Sequence, residues 1–143
     1  MPDRITTNMA YDKYQGLLAY GTSSKIIKVF SLKGYEFEIY DAHEASLRAL
    51  TFIPNQGVLV SVDDNNEVAV WDLTDLENEP TRAVIPIDEG MRVAPVTTTL
   101  YAPSFLSNEP ANHNSVYLAL SDGSIYIFDY STGQFSPLVI KYA

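Results

Sequence analysis

Residues Gln15 to Leu32, QGLLAYGTSSKIIKVFSL, recur 41 positions later as Gln56 to Leu73, QGVLVSVDDNNEVAVWDL. A third, looser copy spans Ser115 to Tyr130, SVYLALSDGSIYIFDY, in which Ile127-Phe128-Asp129 answers Val70-Trp71-Asp72 and Val29-Phe30-Ser31. A unit that returns at about 40 residues narrows the fold sharply, because one such unit cannot bury its apolar surface alone and must stack on its neighbours. Inside each copy the apolar residues alternate or run in short β-branched and aromatic blocks between Gly, Asn, Asp and Ser turns. That is strand-turn-strand chemistry, and helical spacing is not sustained anywhere.

Four short strands per 40-residue unit, with an aromatic-Asp pair at the end, describe one blade of a β-propeller. The expected fold is therefore all-β, with about three four-stranded blades and an incomplete ring: blade one over about 5–40, blade two over about 41–87 and blade three over about 88–143. The innermost strands are expected at Ile5–Tyr11, Leu47–Phe52 and Ala94–Tyr101, and the outer ones at Glu36–Tyr40, Arg82–Ile87 and Leu138–Tyr142. Pro103 to Asn114 reads as an insertion, its prolines being unsuited to a sheet interior. Propellers typically close with about four to eight blades, so three would leave two apolar faces open. Completion by further blades or by self-association is the consequence, and the chain reads as a piece of a longer protein or as one protomer of several.

Composition narrows the function. With 18 acidic and 9 basic residues the net charge is −9, which argues against a nucleic-acid surface, since phosphate binding needs clustered Lys and Arg. An acidic face suits basic protein segments instead. No apolar run reaches the length of a membrane span and MPDRITT lacks an apolar signal segment, so a cytoplasmic location is expected. Zero cysteines exclude a disulfide framework and a Cys-based metal site.

The second unit has the most regular spacing. His43, Leu47, Leu50, Phe52, Pro54, Ser61, Val68, Val70, Trp71 and Asp72 resemble the WD-repeat family, in which a Gly-His pair opens the unit and a Trp-Asp pair closes its third strand; Ala42 replaces the Gly. In that family a His, a Ser, an Asp and a Trp of one repeat form a buried hydrogen-bond chain. The resemblance implies these roles for His43, Ser61, Asn65 and Trp71, with a neutral amide at the acid's place. Asp122 holds the acidic position of the third unit, and Phe128 and Asp129 stand where Trp71 and Asp72 do.

A narrower resemblance is spread over nearly the whole chain. AYDKYQGLLAYGT, KVF, GYEFEIYDAH, LTFIPNQGVLVSV, VAVWDL and DGSIYIFDYSTGQFSPLVI are similar to the first blades of the tomosyn and lethal giant larvae family of exocytosis and polarity proteins. What this implies is a non-enzymatic protein-interaction scaffold, the N-terminal part of a regulator of SNARE-dependent vesicle exocytosis or cell polarity, cytoplasmic and peripheral at the plasma membrane, with SNARE proteins as partners. Two other roles stand beside it: a generic WD-repeat subunit of another multiprotein assembly, and a propeller hydrolase.

Catalytic and cofactor chemistry finds little support. His43 and His113 are the only histidines and neither has a Cys or a second His beside it, so a zinc site lacks ligands. Asp63-Asp64-Asn65-Asn66-Glu67 gathers oxygen ligands, but without the Gly and distant Glu of a calcium loop. It reads as a turn. No Gly-x-Ser-x-Gly elbow and no phosphate-cradling Gly loop are present, so no catalytic residue and no cofactor is assigned. Candidate partner-facing loops are the turn Asp63, Asp64, Asn65 and Asn66 and the insertion that carries Pro103, Phe105 and Glu109.

Overall fold

The computed structural model describes residues 3–40, 42–54, 56–73, 81–85, 96–101 and 114–137, with the backbone alone for 81–85. Three four-stranded antiparallel sheets follow one another along the chain. The first holds β1 (Ala10–Asp12), β2 (Leu17–Gly21), β3 (Ile27–Ser31) and β4 (Glu36–Ile39). The second holds β5 (Leu47–Ile53), β6 (Val58–Asp63), β7 (Val68–Asp72) and β8 (Thr81–Ile85). In the third are β9 (Val96–Tyr101), β10 (Ser115–Leu120), β11 (Ile125–Asp129) and β12 (Gln134–Pro137). Each sheet is a meander whose strands pair in chain order, and no helix occurs among the described residues.

The repeat seen in the sequence is repeated bond for bond. In the turn between the second and third strands, Thr22 N–H donates to Ile26 O, Asp63 N–H to Glu67 O and Leu120 N–H to Ser124 O. The residue that reverses the chain has positive φ in all three: Lys25 at 67°, Asn66 at 61° and Gly123 at 90°. Gly and Asn adopt that region readily; Lys25 does so at some cost. Just past the third strand, Leu32 N–H donates to Gly16 O, Leu73 N–H to Gly57 O and Tyr130 N–H to Asn114 O. Equivalent residues are thus 41 and then 57 positions apart, the larger second step following from the longer connections around β9.

Two strands differ from expectation. The fourth strand of the third sheet is Gln134–Pro137. It comes early because Ser131-Thr132-Gly133 turns the chain at once, with Gly133 at φ 73° and its N–H on Asp129 O; Leu138–Tyr142 lies outside the described residues. The first inner strand begins at Ala10, and Ile5 makes only an isolated bridge to Thr22.

The sheets stack through their first strands, β1 lying by β5 and β5 by β9. Alternation sends the two faces of the middle sheet to two cores. Leu59, Ala69 and Trp71 join Leu17, Ala19, Ile27 and Val29 of the first sheet, whereas Val60, Val62 and Val68 join Val96, Val116, Leu118 and Phe128 of the third. Every one of these side chains is buried. This is why β6 and β7 read as nearly continuous apolar runs: a sheet covered on both sides has no polar face.

Close approach of the first two sheets is paid for at Gly21. A Cβ there would lie 2.6 Å from Leu47 Cδ1 and 2.9 Å from Thr7 Cγ2. Gly21→Ala is expected to push β5 away from β2 and to lower the free energy of unfolding by about 1–3 kcal/mol, the usual cost of overfilling a packed core. Urea unfolding of the variant measures it, and an unchanged midpoint would mean that Leu47 does not seat against Gly21.

Candidate functional site

His43 lies on the connection from β4 to β5. The neighbouring Ala42 is buried and its N–H donates to Lys25 O at 2.9 Å, tying that connection to a turn of the first sheet. Ser61 and Asp63 stand two apart on β6 and so share a face; Trp71 is on β7, and the same face carries Leu59 and Ala69 toward the first sheet. Four polar side chains therefore meet inside the interface between sheets one and two.

The order of donors is fixed at both ends, since an indole can only donate and a carboxylate can only accept. Trp71 Nε1–H donates to Ser61 Oγ at 2.9 Å, Ser61 is 2.7 Å from His43 Nε2, and His43 Nδ1 is 3.0 Å from Asp63 Oδ2. A ring protonated at Nδ1 satisfies every contact: Ser61 gives its proton to Nε2 and Nδ1–H goes to the carboxylate. Asp63 Oδ1 accepts the backbone N–H groups of Asn65 and Glu67 at 2.8 and 3.0 Å. Burial alone would raise the Asp63 carboxyl, but the bonds from His43 and from those amides, with the attraction of His43, outweigh it and hold the group below the usual carboxylate range.

The acid of the chain is therefore Asp63 and not Asn65. Asn65 is exposed and contributes a backbone N–H to the carboxylate. The family resemblance implied Asn65; strand parity with Ser61 points to Asp63, because residues i and i+2 of a strand share a face.

Ser61, His43 and Asp63 stand in the order of a hydrolytic triad, nucleophile to base to acid. Their surroundings are not those of one. Ser61 and Asp63 are 0% exposed and His43 2%, and Ser61 Oγ already holds the indole N–H, so no carbonyl carbon can come within reach. His43, Asp63 and Glu67 also bring potential metal ligands within 4.8 Å of one another. Both nitrogens of His43 and both oxygens of Asp63 are committed to the bonds above, so a cation would have to displace them. The cluster is a strut between sheets.

The other expected residues divide. Asp63 and Asn66 were expected to face partners, yet both are buried: Asn66 accepts Val96 N–H at 2.8 Å and bonds the second sheet to the third. Only Asp64 and Asn65 of that turn are exposed. Asp122 is exposed and stays within its own turn, bonding the hydroxyl and N–H of Ser124, which hold it below the usual carboxylate range. Phe128 is fully buried and packs on Phe135 with ring centroids 4.8 Å apart, while Asp129 bonds Ser131 at the foot of the same strand. Asp72 is exposed at the end of β7. Pro103, Phe105, Glu109 and His113 lie outside the described residues.

Removing one member of the buried chain strands the others. His43→Ala is expected to cost about 2–4 kcal/mol of stability, measured by urea unfolding, because the buried Asp63 Oδ2 loses its donor and the Ser61 hydroxyl its acceptor. A carboxyl held low when folded stabilises fully above its unfolded value near pH 4, and that stabilisation fades as the pH falls through the folded value. The stability difference between the wild type and Asp63→Asn should therefore be constant around neutrality and shrink below about pH 4; a difference that grows with acid would contradict the assignment.

No family model matches the chain. It is 24% identical over 132 residues to lethal(2) giant larvae protein homolog 1 of Rattus norvegicus, covering 87% of this chain and 12% of that protein. Nuclear distribution protein PAC1 of Tuber melanosporum is 33% identical over 73 residues, 51% of this chain and 15% of the relative. Restriction of telomere capping protein 1 of Candida tropicalis is 25% identical over 94 residues, 63% and 8% respectively. The chain thus spans about an eighth of the giant larvae relatives' length. Among solved structures, the β-propeller domain of Cps50 (Swd1) from Myceliophteria thermophila superposes with a TM-score of 0.70 at 15% identity, over 96% of this chain and 42% of that one. The three sheets are blades of a β-propeller.

Proposed function

We propose that the chain is a non-enzymatic protein-interaction scaffold, the N-terminal part of a tomosyn or lethal giant larvae-like regulator of SNARE-dependent exocytosis or cell polarity. The observation that carries the scaffold role is the sealing of the Ser61–His43–Asp63 cluster: the one triad-like arrangement among the described residues serves packing, and what the fold exposes is turns and blade faces. Similarity to giant larvae proteins of rat, cattle and mouse, at 24% over 87% of the chain, supports the finer assignment. No described helix is long and apolar enough to cross a membrane, which is compatible with a cytoplasmic protein acting peripherally at the plasma membrane. The similarity to PAC1 favours a second role, a WD-repeat subunit of a different assembly.

Completion of the ring belongs to the same proposal. Tyr117, Ala119 and Ile125 are the counterparts of Val60, Val62 and Val68, which the third sheet covers completely. In the third sheet they line an open apolar hollow of about 390 Å³ together with Thr98, Thr99 and Leu100. Tyr20 and Phe30, stacked 5.9 Å apart on the outer side of the first sheet, are likewise the counterparts of Ser61 and Trp71. Further blades, from a longer chain or a second copy, would cover both faces.

Two measurements test this. Light scattering of the chain by itself should give a mass above 15.9 kDa, reduced by Leu100→Glu; a soluble monomer at high concentration would remove the self-association branch and leave only blades from a longer chain. A pull-down with SNARE helices by the protein with its full set of blades should retain them. Failure there, with other protein partners retained, would favour the second role.

A further inference from the structure

Between the entries to β1 and β5, on the rim that carries the β2–β3 and β6–β7 turns, lies a hollow of about 340 Å³ lined by Arg4, Ile5, Thr6, Ser46, Leu47, Arg48 and Asp64. We propose that it binds a carboxylate of an acidic peptide segment, with Arg4 and Arg48 as the anchoring groups. This deepens the scaffold proposal and rests on it, naming the chemistry of one partner segment.

The setting is unusual for a chain of net charge −9. Arg4 and Arg48 supply the only guanidinium groups among the described side chains, and both line this one hollow. Arg48 is carried by an irregularity in β5: Leu47 pairs with Asp63 and Ala49 with Val62, so Arg48 has no partner on β6 and stands out of the ladder. Such bulges re-aim a side chain. Asp64 holds it by Nε at 2.7 Å, an orientation that leaves its terminal nitrogens to meet a second acid. Arg4 is fixed through its backbone, its N–H on Ser23 Oγ at 3.0 Å and its carbonyl accepting Ser23 N–H at 2.8 Å, and makes no ion pair among the described residues. The nearby Asp3 carboxylate accepts bonds from Ser23 Oγ and Ser24 N–H and does not line the hollow.

The arrangement is not a property of the repeat. The third sheet has the same irregularity at the same place, where Thr98 pairs with Ala119 and Val96 with Leu120, but the residue standing out there is Thr97, and Asp64 is answered by Ser121. One guanidinium oriented and one without an ion pair among the described residues, with two positive charges and one negative in the lining, match a single carboxylate.

A fluorescein-labelled Glu-rich dodecapeptide, titrated with the 143-residue chain at low salt, provides the probe. Anisotropy should report binding that weakens at least tenfold in the Arg4→Ala/Arg48→Ala double variant, weakens with added salt and tightens in Asp64→Asn, where the competing acid is gone. Arg4 is exposed and Arg48 half-buried, and neither belongs to a core, so the variants should melt with the wild type, and that is checked first. A Lys-rich dodecapeptide should be indifferent to the double substitution. Equal affinity of wild type and double variant, absence of binding, or binding of a phosphoserine peptide in place of the Glu-rich one would overturn the proposal. If the double variant loses the acidic peptide but keeps every protein partner of the full-length protein, the hollow is not the docking point and the scaffold role stands. If no protein partner is found while the peptide still binds, the scaffold role fails and the site survives.

Discussion

A sheet has two faces, and among the described residues only the middle sheet has both covered by protein. That constraint shapes its sequence and its neighbours' sequences alike. Val60, Val62 and Val68 can be valines because the third sheet lies on them, and Gly21 must be small because Leu47 lies on it. The same positions in the third sheet are Tyr117, Ala119 and Ile125, apolar and half-buried beside an open hollow. Residues are chosen here for the interface between sheets more than for the strand they sit on, as expected when each unit draws its stability from its neighbours.

The interface between sheets one and two is built differently from that between sheets two and three. At the places of Ser61, Asp63 and Trp71 the third sheet has Leu118, Leu120 and Phe128, which fill the equivalent space with hydrocarbon and bury fully or nearly so. Both solutions pack. The apolar one needs no partner geometry, whereas the polar one requires four side chains on three elements to align, and it holds the β4–β5 connection at a single point through His43. A buried polar chain of this kind contributes little net stability over hydrocarbon of the same shape, but much is lost when one member goes. What it adds is position, which matters at the joint where the chain passes from one sheet to the next.

Much of this was legible in the residues. The 41-residue recurrence predicted three four-stranded sheets, and the structure reproduces it down to individual turn bonds, because period-two alternation and Gly, Asn and Asp turns act locally. Buried chain members were less legible. The resemblance put Asn65 at the acid's place, but Asp63 lies on the end of β6, where parity with Ser61 turns it inward. Burial of Asp63 and Asn66 was hidden for a related reason: polar turns are ordinarily solvated, and only the presence of a neighbouring sheet, with Val96 N–H seeking an acceptor, makes this one part of the interior. The early fourth strand of the third sheet depended on Gly133, whose positive φ closes a hairpin that hydrophobic pattern alone does not mark.

Net charge was the feature most easily over-read. A value of −9 suggests a surface that repels acids, but charge acts over about a Debye length, roughly 8–10 Å in ordinary salt, and beyond it a patch answers to its own neighbours. Arg4 and Arg48 share one hollow, with Asp64 committed to Arg48 and Asp3 to two serines. The lining of the hollow carries two positive charges and one negative. An acidic chain with one guarded cationic hollow discriminates better than a basic surface would, since the rest of the molecule turns away the polyanions that a broadly basic face would collect. The two guanidinium groups come from the lead-in to β1 and from a bulge in β5, so the hollow exists only where sheets one and two are stacked, and its geometry is inherited from the joint that His43 holds.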